Sequence, residues 1–157
     1  MSGFIATALV PPLTPEGDVI ANDGWFPSLS MSATRNAFRL DGTITDQRLR
    51  DALVAAMLDV NRQLARYRAR AEEMGHTSLG AAAEGATLDG VPRTVLLYQR
   101  AVMCLAHASL SEHYRDFDAA GSARQVEDLP LIDEQRRNAR WAVRELLGET
   151  HVLAELV

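Results

Sequence analysis

The segment at residues 95–110, VLLYQRAVMCLAHASL, constrains the fold more than any other part of this chain. As an α-helix it would be apolar around most of its circumference, with Arg100 and His107 as its polar interruptions. Such a helix has to be surrounded by other elements, because apolar surface left in water costs free energy. It is too short and too interrupted to cross a bilayer, so no membrane partner is predicted. The segment therefore predicts the central helix of a bundle, from near Pro92 to near Arg115.

A long amphipathic helix is predicted over residues 46–73, with Thr45 as its N-cap and Gly75 closing it. A second, weaker apolar patch, which includes Val54 and Leu58, lies off the main stripe. Periodicity allows this patch to pack either against a neighbouring subunit or against another segment of the same chain. The main stripe consists of Leu49, Leu53, Ala56, Met57, Val60, Leu64, Tyr67 and Ala71.

The third long helix is predicted from Asp128 to Leu147, with Gly148 as its stop. Trp141 points away from its apolar stripe and has Arg140 and Arg144 as neighbours. Aromatic and arginine side chains outside a core are typical anchors of protein interfaces. The alternative is that Trp141 packs on the loop or the short helix of its own chain.

The two ends of the chain read as arms. Residues 1–24 carry several prolines and glycines with no sustained period, which indicates an extended N-terminal arm. Trp25, Phe26 and Pro27 end this arm as an anchor, ahead of a short helix that Ser30 or Ser32 caps and that continues through Phe38. These aromatic side chains, like Trp141, exceed what a three-helix core needs, and we interpret them as surplus surface for partners.

The predicted fold class is therefore all-α: a small bundle of three long helices plus a short N-terminal helix, with extended arms at both ends. Residues 25–148 form the helical domain in this scheme, and residues 149–157 a C-terminal tail. Residues 76–91, rich in glycine and alanine, are predicted as a long loop. The tail shows only a weak strand pattern.

The cluster of Cys104, His107 and His113 suggests a metal or catalytic site but does not have the spacing of one. The two histidines are six residues apart, whereas one zinc held by one helix needs histidines at i and i+4. Cys104 is interpreted as a small buried side chain with a disfavoured thiolate, and His107 as a side chain satisfied by hydrogen bonds. No nucleotide-binding or nucleophile motif occurs, so the sequence predicts no enzyme, cofactor or metal.

Several segments, taken in order, resemble the head completion protein (gpL) family of contractile-tailed temperate phages. WFP at 25–27 fits the same pattern, and the match keeps consistent spacing up to residue 147. The segments are RLDGTITDQRLRDAL at 39–53, NRQLARYR at 61–68, YQRAVMCLAHASLSEHYR at 98–115 and RWAV at 140–143.

The resemblance implies an all-helical head–tail connector, or adaptor, in the virion neck. Such a protein binds beneath the portal protein as a twelvefold ring, completes the DNA-filled head after packaging and offers a platform to a tail-side neck or tail terminator protein. Genomic DNA would pass through the lumen without specific binding, which the net charge of −5 permits.

The surplus apolar and aromatic residues, taken together with the family resemblance, give the candidate interaction residues. We expect lateral contacts between subunits to use Val54, Leu58, Arg140, Trp141 and Arg144. The tail is expected to dock on the portal as an extended segment, whose backbone hydrogen bonds would supply affinity. The portal-docking candidates in the tail are His151, Val152, Leu153, Leu156 and Val157.

The main alternative is a small helical DNA-binding or phage regulatory protein. The acidic balance, the long loops and the apolar central helix make it a poor match to the usual helix-turn-helix. A helical-bundle metal enzyme would need Glu-x-x-His motifs on two facing helices, and the sequence has no such pair of motifs.

Overall fold

The computed structural model describes residues 17–40, 42–83, 85, 87–117 and 124–148, with the backbone alone for 114–117 and 124–130. Within these residues the chain forms five helices and two antiparallel sheets of two strands each. The helices are α1 (Met31–Phe38), α2 (Asp46–Gln63), α3 (Ala65–Glu73), α4 (Arg93–Phe117) and α5 (Arg124–Leu146). The strands are β1 (Val19–Ile20), β2 (Leu29–Ser30), β3 (Thr87–Leu88) and β4 (Val91–Pro92).

Helix α4 packs against both α2 and α5, which confirms the central position predicted for it. Two ion pairs, Arg93 with Glu145 and Arg136 with Glu112, join α4 to α5 at opposite ends and show that the two helices run antiparallel. These exposed pairs contribute about 0–1 kcal/mol each, so burial of apolar surface holds the helices together. The buried residues of α4 are Tyr98, Ala101, Val102, Cys104, Ala106, Ala108 and Leu110.

The predicted stripe and caps of the first long helix are confirmed. Every stripe residue is buried except Tyr67, which is half-buried against the core. The Thr45 hydroxyl accepts a hydrogen bond from the Arg48 N–H at the start of α2. Gly75, with φ of 90°, ends α3, and the His76 N–H donates to the Ala71 carbonyl as in a Schellman cap.

The prediction of one unbroken helix over 46–73 is wrong at Leu64. There the backbone has φ of −91° and ψ of 4°, outside the helical region, and the helix divides into α2 and α3. The Leu64 N–H still donates to the Val60 carbonyl, and the Arg68 N–H to the Leu64 carbonyl. The hydrogen bonding therefore continues across the break. Leu64 itself is fully buried. The spacing of the apolar residues continues through it and therefore does not indicate the local change in dihedral angles.

The predicted all-α class holds only in part, because two short sheets accompany the helices and a three-helix bundle is not clearly formed. The non-helical segment 18–30 and Leu79 of the loop also contribute to the core. The third helix begins at Arg124 rather than at Asp128. Its predicted stripe is buried at Ile132, Ala139, Val143 and Leu146, with Leu147 half-buried, and Leu129 lies outside the described side chains.

The predicted loop over 76–91 contains the start of a hairpin, in which β3 pairs with β4. Asp89 and Gly90 connect the strands with φ of 52° and 73°. Left-handed conformations at both central residues are what a type I′ turn requires, and Asp-Gly is a favoured sequence for it. The turn signal is therefore present in the sequence, but strands of two residues are too short to show an alternating apolar pattern.

A closed set of hydrogen bonds ties the N-terminal segment to two helices. Asn22 Nδ2 donates to the Tyr98 hydroxyl at 2.8 Å, and that hydroxyl donates to Asn61 Oδ1 at 2.6 Å. Asn61 Nδ2 completes the triangle by donating to Asn22 Oδ1 at 3.0 Å. Burial raises the pKa of Tyr98 to about 12, so the hydroxyl keeps its proton at neutral pH. This triangle positions segment 22–27 against α2 and α4.

Replacing Tyr98 by phenylalanine is expected to lower the free energy of unfolding by about 1–3 kcal/mol, because polar groups of Asn22 and Asn61 lose a partner where water cannot easily replace it. Denaturant unfolding measures the change. Asn61→Ala and the double variant complete a thermodynamic cycle, in which we expect the two costs to be less than additive. Strictly additive costs would contradict the triangle.

Candidate interaction surface

Cys104, His107 and His113, the candidates for a metal or catalytic site, have different surroundings in the structure. Cys104 is buried, and this burial raises the pKa of its thiol, as predicted. His113 is exposed, with Nδ1 3.0 Å from the Ser109 carbonyl oxygen. Within the described residues, no three His, Cys, Asp or Glu side chains are grouped so that they could hold a metal ion. Over the same residues, no helix has the length and apolar character needed to cross a membrane.

His107 differs from its prediction, since its buried Nδ1 makes no hydrogen bond within the described part of the chain. Its ring instead stacks on Phe38 of α1, with ring centroids 4.3 Å apart and an interplanar angle of 29°. Burial lowers the pKa of His107 because the charged imidazolium loses its hydration. Stacking, rather than hydrogen bonding at Nδ1, therefore joins α4 to α1 at this point.

This environment predicts a dependence of stability on pH. The pKa of His107 is lower in the folded chain than the unfolded value of about 6.5. The unfolded chain then binds more protons below about pH 6.5, so stability is lost as the pH falls from there through the folded pKa, by at most about 1.4 kcal/mol per pH unit. In His107→Phe this contribution should vanish, as measured by urea unfolding between pH 5 and 8. His113→Gln, at an exposed position of the same helix, is the control. An unchanged slope in His107→Phe would contradict the assignment.

Trp25 and Phe26 lie in the core of their own chain, with only 5% and 4% of their surfaces exposed. Their rings meet edge to face with centroids 4.8 Å apart, and Phe26 stacks on Tyr98. Pro27 is half-buried beside them. The burial of Trp25 and Phe26 holds the adjoining segment 22–27 on the core. The idea that these two aromatic side chains are surplus to the core is wrong, because sequence periodicity did not reveal that a loop fills part of the core.

Asp23 and Arg68 hold this aromatic segment in place. Asp23 Oδ1 accepts hydrogen bonds from the N–H groups of Trp25 and Phe26, both at 3.0 Å. Arg68 pairs with Asp23 at 2.6 Å, and its guanidinium lies over both aromatic rings. Desolvation pushes the pKa of Asp23 upward, but the two backbone hydrogen bonds and Arg68 outweigh it and leave the pKa lowered. Neither residue was predicted, although Asn-Asp-Gly before the aromatic pair is a recognisable turn signal.

Val54 and Leu58, which we call the α2 patch, lie on the exposed side of α2. Their exposed fractions are 39% and 66%, so both side chains keep apolar surface in contact with solvent. Packing within the same chain therefore does not bury this patch. An exposed leucine alone needs no explanation, but a neighbouring pair on one helix provides apolar surface for a partner.

Trp141 is exposed on α5, with 42% of its surface in contact with solvent. Together with Arg140 and Arg144 it borders a cleft that Leu147 and Gln63 also line. The guanidinium of Arg137 lies 5.1 Å from the centre of the Trp141 ring, in cation–π contact. Arg137 was not among the predicted site residues, although its position one helical turn before Trp141 places it on the same face of the helix.

The remaining site predictions fall on residues that the structure does not describe. All five portal-docking candidates in the tail, His151, Val152, Leu153, Leu156 and Val157, lie outside the described residues. Other large apolar side chains that the structure leaves exposed were not predicted. These are Val19, Met74, Leu88 and Leu131.

The described residues thus form a helical frame that leaves some apolar, aromatic and arginine side chains exposed, residue types that are common in protein interfaces. A family model described as "Phage head completion protein (GPL)" matches residues 20–157. The "Head completion/stabilization protein" of Escherichia phage P2 is 33% identical over 153 residues, which cover 96% of this chain and 90% of that protein. No solved structure matches the chain.

The chain belongs to the phage head completion protein family, as the resemblance in the sequence indicated. It is therefore a structural protein of the phage head and a component of the virion, in a family not known for enzymes. Membership implies contacts with other head or tail components. It does not favour the alternative of a DNA-binding regulator.

Proposed function

We propose that this protein is a head–tail connector. Copies of the chain assemble as a ring, with twelvefold symmetry, beneath the portal protein at one vertex of the DNA-filled head. The ring completes the head and forms the platform to which a tail-side neck or tail terminator protein attaches. Its place in the virion is the neck.

The observation that carries this proposal is the presence of separate exposed apolar surfaces on two helices. The α2 patch lies on α2, whereas Trp141, Arg140 and Arg144 lie on α5. A closed ring is built from head-to-tail contacts, in which each subunit uses two different surfaces. Two unlike surfaces on one chain satisfy this requirement, whereas a two-fold dimer needs only one.

The tail, residues 149–157, is the proposed contact with the portal. An extended segment can add to a partner through backbone hydrogen bonds while its alternate apolar side chains supply specificity. Because a ring presents many tails at once, each contact can be weak and the assembly still bind tightly. The candidates remain His151, Val152, Leu153, Leu156 and Val157.

Genomic DNA is proposed to pass through the lumen without being held. Positive side chains around the channel would bind phosphates and slow the passage of DNA. The net charge of −5 supports a lumen that is neutral or acidic.

Electron microscopy of the purified portal, with and without this protein, tests the proposal. We expect an added ring of density on the portal, with the same symmetry as the portal ring that it covers. Density at another place on the head, or no association with the portal, would contradict it.

A further inference from the structure

The surface around Trp141 is a cleft rather than a flat patch. We call it the Trp141 cleft. It has a volume of about 470 Å³ and lies along α5, with Gln63 of α2 at its far edge. Its lining on the α5 side consists of Arg137, Arg140, Trp141, Val143, Arg144 and Leu147.

The charge of the Trp141 cleft is unlike that of the whole chain. Among the described residues, three arginines and no acidic residue line it, whereas the chain as a whole carries a charge of −5. The described lining of this cleft is therefore rich in positive charge, which favours an anionic ligand.

The lining also selects for apolar character. Val143 is buried and Leu147 half-buried at the base of the cleft, and the exposed Trp141 forms one wall. The guanidinium of Arg137 lies over the Trp141 ring in cation–π contact, and a guanidinium can donate two hydrogen bonds to one carboxylate. A concave site with an apolar base and arginines at its rim fits an acidic peptide with aliphatic side chains better than the regular phosphate backbone of a DNA duplex.

The segment that follows α5 has this chemistry. Residues 149–157, ETHVLAELV, contain two glutamates and no lysine or arginine, and more than half of the segment is aliphatic. The segment begins directly after Gly148, whose φ of 73° is the left-handed turn that ends a helix and redirects the chain. Leu147, one residue earlier, already lines the cleft. Nine residues reach up to about 30 Å, enough to turn back along α5.

We infer that, in the free protein, residues 149–157 occupy the Trp141 cleft of their own chain. Attachment to the same chain favours this over a second copy, because the local concentration of a tethered segment reaches about the millimolar range. Given the proposed function, the same tail that docks on the portal then covers the surface used for lateral contacts.

Hydrogen exchange of the free, full-length protein, followed by mass spectrometry, tests this inference without any portal. In the wild type we expect amides of residues 149–157 to exchange about tenfold more slowly than in Arg140→Glu/Arg144→Glu. Glu149→Arg/Glu155→Arg should lose the protection as well. A variant that carries both pairs of substitutions exchanges the charges between the tail and the cleft, and it should restore the slow exchange of the tail amides. Arg48→Glu, the same change outside the cleft, is the matched control, and circular dichroism checks that each variant keeps its helices.

Three outcomes would overturn the inference. The first is fast exchange of the tail in the wild type. The second is protection that rises with protein concentration, which would assign the cleft to the tail of a second copy. The third is duplex DNA binding that depends on Arg140 and Arg144 with no change in tail exchange, which would assign it to nucleic acid. The ring on the portal is tested separately by microscopy, so failure here leaves that proposal standing.

Discussion

Replacement of Trp25 by alanine is expected to lower the free energy of unfolding by about 3–5 kcal/mol. The side chain is 5% exposed and packs edge to face on Phe26 and Tyr67, with Arg68 over its ring. Its removal creates a cavity between segment 22–27 and α3 and also removes the aromatic and cation–π contacts. This loss is a large part of the usual 5–15 kcal/mol stability of a domain. Denaturant unfolding followed by far-ultraviolet circular dichroism measures it.

The second tryptophan of the chain provides a matched control. Trp141 is 42% exposed, so Trp141→Ala should lower the free energy of unfolding by clearly less than Trp25→Ala does, by about 2 kcal/mol or less. It should instead weaken assembly of the ring on the portal, if the lateral contacts are those proposed. Equal destabilisation by the two substitutions would contradict the division into a core tryptophan and a surface tryptophan.

Deletion of residues 149–157 is expected to abolish binding to the portal while the helices remain folded. The deletion begins after Gly148, where α5 has already ended, and it removes none of the buried residues that the structure describes. The apolar side chains of the tail and its backbone hydrogen bonds would all be lost, and the many contacts of a ring multiply this loss. Co-sedimentation with purified portal measures binding, and thermal unfolding shows whether the fold persists.

A second variant separates loss of the tail from disturbance of the Trp141 cleft. Arg140→Glu/Arg144→Glu alters the cleft but keeps the whole tail, so the initial capture of single subunits by the portal should persist. Retained portal binding after the deletion would refute the role of the tail. Loss of capture in the cleft variant with an intact tail would instead place the portal contact on α5.

Much of the helical framework could be predicted because helix formation leaves a local and periodic record. The stripe from Leu49 to Ala71 and the central position of α4 follow from the spacing of apolar residues. Two helix starts could be predicted from N-cap side chains that accept a backbone hydrogen bond, Ser30 and Thr45. One helix end could be predicted from Gly75, which adopts the left-handed conformation. Cys104 followed from the same argument, since it lies on the apolar side of α4.

The core contribution of Trp25 and Phe26 could not be predicted in this way. Their burial depends on a loop that packs across α3 and α4, held by Asp23, Arg68 and the Asn22 hydrogen bonds. These partners are separated by up to 76 positions in the sequence, and no local pattern pairs them. Aromatic residues beside a proline have the same local sequence pattern whether they pack in the core of their own chain or bind a partner protein.

By itself, the sequence determined the helices, most of their caps, the family and the excess of apolar surface, because local periodicity and order along the chain encode these features. Only the tertiary structure decided which of these apolar side chains are buried in the core and which stay exposed. It placed Trp25 and Phe26 in the core, left Val54, Leu58 and Trp141 exposed, and grouped three arginines around one cleft. The physical reason is that burial is a property of pairs of distant segments, whereas a sequence pattern reports only which side of one helix is apolar.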